Sequence, residues 1–372
     1  MSGATHTSSA PSPTGAKPLR VGLIGYGLAG QVFHAPLIAS TPGMEVAAIS
    51  TGSPERQMRA LRDYPAASLY TTAEELLRST PQLDLIVVAS PNRAHVPLGV
   101  AALEEGIPVV IDKPLAASSA DGELVLAASQ KAGKLFTVFQ SRRWDNDFLT
   151  VRRLIAADAL GPIVRFESRF ERFRPAVNAD AWRELAAPEE AGGLLFDLGA
   201  HLIDQARLLF GHPVTVYAEV DTRRPGAQVD DDVFVALRFA GGEIAHLWMS
   251  VLPRVSGPRY RVVGLRATYE KHELDPQEEA LRTGARPGDE GWGHEPREAW
   301  GKLSSEVGGL PVTSLVETLP GSYESYYAGV RDALLSGGPP LVDPADSIAT
   351  LRVIEAAQQS ARTGAVVKLG KR

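Results

Sequence analysis

From Leu19 onward the chain alternates short apolar runs with stretches of helical period. LRVGLIG (19–25), MEVAAIS (44–50), LDLIVVAS (83–90), IPVVIDKP (107–114) and KLFTVFQS (134–141) read as buried strands, since apolar residues fill consecutive positions. Helical segments separate them. GYGLAGQVFHAPLIAS (25–40) is a turn opening a helix that Pro36 kinks, and TTAEELLRS (71–79) starts with the Thr72/Glu75 spacing of a capping box. AHVPLGVAALEEG (94–106) and SADGELVLAASQKAG (119–133) complete the set. Strands alternating with helices in this way predict a doubly wound parallel sheet covered on both faces, over residues 18–145.

After about Asn146 the texture changes. One helix (TVRRLIAADAL) precedes the alternating runs PIVRFESRFERF, PVTVYAEVDTR, DVFVALRFA and EIAHLWMSV, with Gly241-Gly242 as a hairpin turn between the last two. A mostly antiparallel sheet and an α+β domain over 146–372 follow. SYESYYAGVRDALLSG and PADSIATLRVIEAAQQSAR read as closing helices, while the Gly-, Pro- and Glu-rich stretch 275–308 yields no assignment. Residues 1–17, rich in Ser, Thr, Pro and Gly, read as a disordered tail without the apolar core of a signal peptide.

Composition narrows the function classes. The net charge of −6 argues against a phosphate-backbone binder, so no nucleic-acid partner is expected. No run approaches a membrane span, and the absence of cysteine rules out disulfides and suits a reducing, cytoplasmic setting.

The chemistry-bearing motifs cluster at predicted strand ends. Gly25-Tyr26-Gly27-Leu28-Ala29-Gly30 follows a strand and opens a helix, where glycines allow a tight turn, close approach of a pyrophosphate and helix-on-strand packing. The second strand ends in Ser50 and Thr51, with Ser53 and Arg56 just beyond and no acid to hold a ribose 2′-hydroxyl. That set favours NADP over NAD, since hydroxyls and a guanidinium suit a 2′-phosphate. Ser90, Pro91, Asn92 and His95 follow the third of these strands and are candidates to face the cofactor. Asp112, Lys113 and Pro114 end the next one, where Lys113 can stabilise charge on a reacting oxygen and Pro114 can fix the turn in the cis form.

LLFDLGAHLID (194–204) carries the remaining candidates. Laid on one helix, Leu195, Leu198, Leu202, Ala206 and Leu209 form an apolar stripe, with Asp197, His201 and Asp204 opposite. Histidine titrates near neutrality and can take an alcohol proton, with Asp197 to orient the group. Asp204, a turn further along, has a structural role as its alternative. Metal binding at His201 lacks a well-placed third ligand, so no metal is expected. Gln140, Arg142, Arg143, Trp144 and Asp145, and from the second domain Arg169, Arg172, Arg174 and Trp182, offer the donors and flat faces a polyol needs.

GYGLAG, DKP and DLGAHLID, in this order and spacing, resemble the Gfo/Idh/MocA oxidoreductase family over nearly the whole chain after the tail. The resemblance implies a Rossmann domain, a second domain with a large open sheet used for subunit contacts, and a homodimer or homotetramer. It also implies catalysis by Lys113, Asp197 and His201, with His201 as acid/base. The family's usual Glu-Lys-Pro stands here as Asp112-Lys113-Pro114, which keeps the lysine. GYGLAGQVFHAPLI, QSRRWDNDFLTVRRLI and GGLLFDLGAHLIDQ look similar to a branch that includes NADP-dependent scyllo-inositol dehydrogenases. The expected activity is hydride transfer between a nicotinamide and a secondary alcohol of a cyclic polyol or sugar. A reductase of a non-carbohydrate and a non-catalytic NADP-sensing regulator remain the alternatives.

Overall fold

The computed structural model describes residues 17–78, 82–177, 184 and 190–370, so nearly all of the expected tail and Trp182 lie outside the described residues. Six parallel strands form the first sheet: β1 (Leu19–Ile24), β2 (Met44–Ser50), β3 (Ser68–Tyr70), β4 (Leu85–Val88), β5 (Val109–Asp112) and β6 (Phe136–Phe139). Their order is β3-β2-β1-β4-β5-β6, a doubly wound Rossmann arrangement whose order reverses between β1 and β4. Such a reversal opens a crevice beyond the carboxyl ends of the strands. The glycine turn, Ser50-Thr51, the 90–95 loop and Asp112-Lys113-Pro114 all sit on that edge.

The connecting helices are α1 (Ala35–Ala39), α2 (Pro54–Asp63), α3 (Ala73–Arg78), α4 (His95–Glu104) and α5 (Ser119–Ala132). Ahead of α1 the backbone widens, with the Ala35 N–H reaching the Gly30 carbonyl five residues back. Pro36 stands in the first turn of α1, where its missing N–H cannot continue a ladder behind it. Helix α2 is invisible to an apolar-stripe reading because it buries only Ala60. The Thr72/Glu75 capping box is made as expected: the Glu75 N–H donates to Thr72 Oγ1 at 3.2 Å, and the Thr72 N–H to Glu75 Oε2 at 3.2 Å.

After α6 (Asn146–Ala156) come β7 (Ile163–Glu171), α7 (Leu194–Asp197), α8 (Gly199–Phe210), β8 (Pro213–Asp221), β9 (Asp232–Phe239), β10 (Ile244–Ser250), β11 (Tyr260–Gly264), β12 (Thr268–Lys271), α9 (Gln277–Thr283), β13 (Gly301–Val307), β14 (Leu310–Val316), α10 (Glu324–Ser336), α11 (Pro344–Thr363) and β15 (Val367–Lys368). The second sheet has nine strands in the order β14-β13-β12-β11-β7-β10-β9-β8-β15, antiparallel except for β7 beside β10. Gly241 and Gly242 turn β9 into β10 as expected. The stretch 275–308, unassigned from sequence, holds α9 and β13. Its strand eluded the pattern because β13 and β14 form an exposed hairpin with little one-sided burial.

Helices α10 and α11, counted with the second domain by position, also pack on the first. Tyr326, Tyr327 and Val330 join the core cluster of Val21, Leu37 and Phe139. Glu355 of α11 accepts from the Ser119 N–H and hydroxyl at 2.6 and 2.8 Å. No helix among the described residues is long and apolar enough to cross a membrane.

Candidate active site

The glycine turn divides its labour. Gly25 has φ +101°, and a Cβ there would collide with the Ala89 carbonyl. A Cβ on Gly30 would collide with the Gly25 carbonyl, so the chain after the turn presses directly on the strand end. At Gly27 the nearest atom to an added Cβ is Arg56 Nη1 at 3.6 Å, which leaves bare backbone facing open space beside a guanidinium. That cradle fits a dinucleotide pyrophosphate. Ser50 and Thr51 lie buried next to it, with the Ser50 carbonyl accepting from the Gly25 N–H at 2.9 Å. Ser53 is the N-cap of α2, its hydroxyl accepting from the Arg56 N–H at 3.4 Å. The Tyr26 ring turns into the core, where its hydroxyl donates to Asp63 at 2.9 Å.

The loop after β4 departs from expectation. Asn92 is buried and donates to the Glu190 carbonyl at 2.6 Å, while Arg93 pairs with the Glu190 carboxylate. His95 lies between the Pro114 and Ser90 carbonyls, its ring nitrogens at 2.8 and 2.9 Å from them. Both side chains brace loops, while Ser90 and Pro91 remain at least partly exposed.

Beyond β5 the Lys113–Pro114 peptide is cis. The Asp112 carboxylate accepts from the Lys113 N–H at 2.8 Å. Burial alone would raise its pKa, but His34, His95 and Lys113 hold it below the usual carboxylate value. Lys113 Nζ donates to both the carbonyl and the carboxylate of Asp197, each at 2.7 Å.

That carbonyl is available because the predicted single helix is broken at Leu198. The His201 N–H bonds back to Leu198, at 3.1 Å, instead of to Asp197. Gly199 follows the break, where an added Cβ would press on Leu195 and Met249. Asp230, from the β8–β9 connection, caps α7 by accepting from the Leu195 N–H at 2.7 Å. Burial, opposed by these backbone hydrogen bonds, pushes its carboxyl up to about 6.

His201 is 5% exposed, and its Nδ1 has no protein hydrogen-bond partner among the described residues. Burial, reinforced by the cations Lys113, Arg142, Arg259 and Arg172, holds its pKa well below the ordinary value. The imidazole is therefore neutral near pH 7 and able to accept a proton. Lys113, Asp197 and His201 line one cavity of about 270 Å³ together with Leu28 and Ala29 of the glycine turn.

Of the candidate substrate contacts after β6, Gln140, Arg143 and Trp144 do not line this cavity. Gln140 is buried, and the Trp144 ring packs edge-on against Tyr326. Arg143 instead holds Asp204 through two hydrogen bonds of 2.7 and 2.6 Å and reaches Asp346 at 3.2 Å. The polar face of α8 thus splits, with His201 in the cavity and Asp204 serving structure. Arg142, Arg172 and Arg174 do line the cavity, joined by Glu278, Arg282 and Tyr323. The last three carried no sequence signal, since α9 reads as an ordinary polar segment and Tyr323 as the start of a helix. Among the described residues no group of three or more histidine or acidic side chains is set to hold a metal.

Residues 19–140 match the oxidoreductase-family model for an NAD-binding Rossmann fold, and residues 152–369 match the model for that family's C-terminal alpha/beta domain. The chain belongs to the Gfo/Idh/MocA oxidoreductase family. Its first domain is accordingly an NAD(P)-binding Rossmann domain. The uncharacterized oxidoreductase YdgJ of Escherichia coli is 41% identical, over 94% of this chain and 99% of its own length. The scyllo-inositol 2-dehydrogenase (NADP(+)) IolW of Bacillus subtilis is 34% identical, over 94% of this chain and 96% of its own. The solved structure of Bacillus subtilis YvaA superposes with a TM-score of 0.90 at 34% identity, covering 95% of this chain and 99% of that one.

Proposed function

We propose that this family member is an NADP(H)-dependent dehydrogenase of a secondary alcohol on a cyclic polyol or sugar, with scyllo-inositol-type oxidation at position 2 favoured. One observation carries the reading: a lysine held by Asp197 and a neutral buried histidine share a cavity with the glycine turn. When bound, the nicotinamide supplies the hydride acceptor. Gly25, Gly27 and Gly30 would hold its pyrophosphate, and Arg56, with Ser50 and Thr51, a 2′-phosphate.

Lys113 is the group that steadies the reacting oxygen. Asp197 takes two of the three ammonium hydrogens, which leaves one to donate to the substrate hydroxyl. His201 accepts the hydroxyl proton, because burial and nearby cations keep its ring uncharged. In the reverse direction the protonated ring, more acidic than an ordinary imidazolium, returns the proton to the ketone oxygen. Asp197 orients Lys113 through carbonyl and carboxylate together. The NADP(+) dependence in the name of the Bacillus subtilis relative IolW supports the cofactor preference. We further propose a cytoplasmic homodimer or homotetramer joined through the second sheet.

The test is absorbance of reduced nicotinamide during incubation with NADP+ or NAD+ and a panel of inositols, hexoses and sugar acids. Reduction with scyllo-inositol, faster with NADP+, is expected. Arg56→Ala should cut the NADP+ preference roughly tenfold or more, the range of a charge-assisted hydrogen bond. Silence across the panel sinks the dehydrogenase reading.

A further inference from the structure

The active cavity is lined by six cationic side chains, Lys113 and five arginines, against five carboxylates, and the surplus cation is localised. Lys113 is matched by Asp197. Arg224 is matched by Asp231 at 2.9 Å and Glu184 at 3.2 Å. Glu278 is shared: Arg142 and Arg282 both hydrogen-bond to it, and Arg172 stands at 3.9 Å. Arg142 also has Asp145 at 3.6 Å, which leaves Arg172 with only a third share in one carboxylate. Arg174 has no ion pair among the described residues and lies two positions further along the same strand extension.

Backbone geometry makes these two arginines a pair. The Arg172 and Arg174 N–H groups donate to the Ser250 and Val251 carbonyls at 2.9 and 2.8 Å, continuing β7 beyond its regular end. Residues two apart on an extended strand face the same side. Both line the active cavity and the groove of about 830 Å³ that adjoins it. The Arg172 guanidinium lies over the Phe170 ring at 4.6 Å, and its side chain is only 30% exposed. Burial, with repulsion from Arg142 and Arg174, outweighs the attraction of Glu278 and Asp197 and holds its pKa below the ordinary arginine value. A half-buried cation without its own counter-ion is costly unless something else brings the charge. A neutral polyol would leave it with only the shared attraction of Glu278 and Asp197.

We propose that, beside neutral polyols such as scyllo-inositol and in preference to them, the site takes a substrate that carries, with the reacting hydroxyl, an anionic group, a carboxylate or phosphate, held between Arg172 and Arg174. Paired guanidinium forks match the planar oxygens of such groups. The proposal rests on the dehydrogenase reading for the reacting end of the molecule. Lys113 and His201 take the carbinol, and the arginine pair takes the charge.

The experiment is calorimetric titration of the full chain in the presence of NADPH, which leaves an alcohol unreacted. The probes are D-glucuronate, glucose 6-phosphate, D-glucose and scyllo-inositol. At least one anionic probe should bind roughly tenfold or more tighter than D-glucose, and which one does so separates carboxylate from phosphate. Arg172→Met and, at the more exposed position, Arg174→Met should each draw that ratio toward one. A ratio near one in the unaltered protein, or one unmoved by both substitutions, overturns the proposal, as does absence of binding by every probe. The NADP+ reduction panel runs in parallel. An anion preference without turnover would defeat the dehydrogenase reading and leave the anion site standing. Turnover with no anion preference would defeat the anion site alone.

Discussion

At the cofactor end of the crevice the working parts are backbone atoms, and glycines within one short turn create them. At the substrate end the working parts are long charged side chains matched across the chain. Lys113 meets Asp197 over 84 residues, Arg142 meets Glu278 over 136, and Arg143 meets Asp204 over 61. The difference bears on how each end fails. A glycine turn is damaged by adding atoms, because its function is the absence of a Cβ. A charge network is damaged by removing atoms, because each deletion strands a partner in a poorly hydrated place.

The largest effect is expected at the junction of the two ends. Lys113→Ala and His201→Ala should each lower turnover by about 10²–10⁴-fold, the usual reach of a positioned proton-transfer group, while NADP+ affinity measured by titration shifts little. If either variant retains half its turnover, its proposed role is wrong. The pH profile sharpens the same point. A depressed pKa means the neutral, proton-accepting ring persists to lower pH, so kcat/KM for oxidation should hold its plateau down through pH 6.5. An acid limb centred at or above that pH would contradict the environment described for His201.

Next in size is the buried pair behind the site. Arg143→Ala leaves the Asp204 carboxylate, 2% exposed, without its main cation. The cost should be about 3–5 kcal/mol of stability, read by denaturant unfolding. A loss confined to activity would return Arg143 to the substrate contacts.

The smallest effect compares two glycines three residues apart. Gly30→Ala drives a methyl into the Gly25 carbonyl and should destabilise the fold by about 1–3 kcal/mol. Gly27→Ala meets only the edge of Arg56, so it should leave the melting temperature nearly unmoved and weaken NADP+ binding instead. Equal losses of stability in both would erase the division of labour drawn for the turn.

Much of the first domain was legible because its signals are local. Consecutive apolar residues announce β1, β2, β4, β5 and β6, and the glycine spacing announces the turn after β1. The same logic misses α2, which is polar on nearly every face, and the β13–β14 hairpin, whose two faces are both largely exposed. At the site, residue types alone put Asn92, His95 and Arg143 beside the ligands. The fold spends their hydrogen bonds on Glu190, on Ser90 and Pro114, and on Asp204.

By itself the amino-acid sequence determined the strand–helix alternation of a doubly wound domain, the glycine turn and the Lys113, Asp197 and His201 candidates, since each is read from neighbours in the chain. Only the tertiary structure decided which charges meet. It broke the 194–209 helix at Leu198 so that the Asp197 carbonyl could serve Lys113. It surrounded His201 with cations from four separate segments. It also left Arg172 and Arg174 short of a counter-ion. Charge pairing depends on distance and burial, and neither is written in the order of residues along a chain.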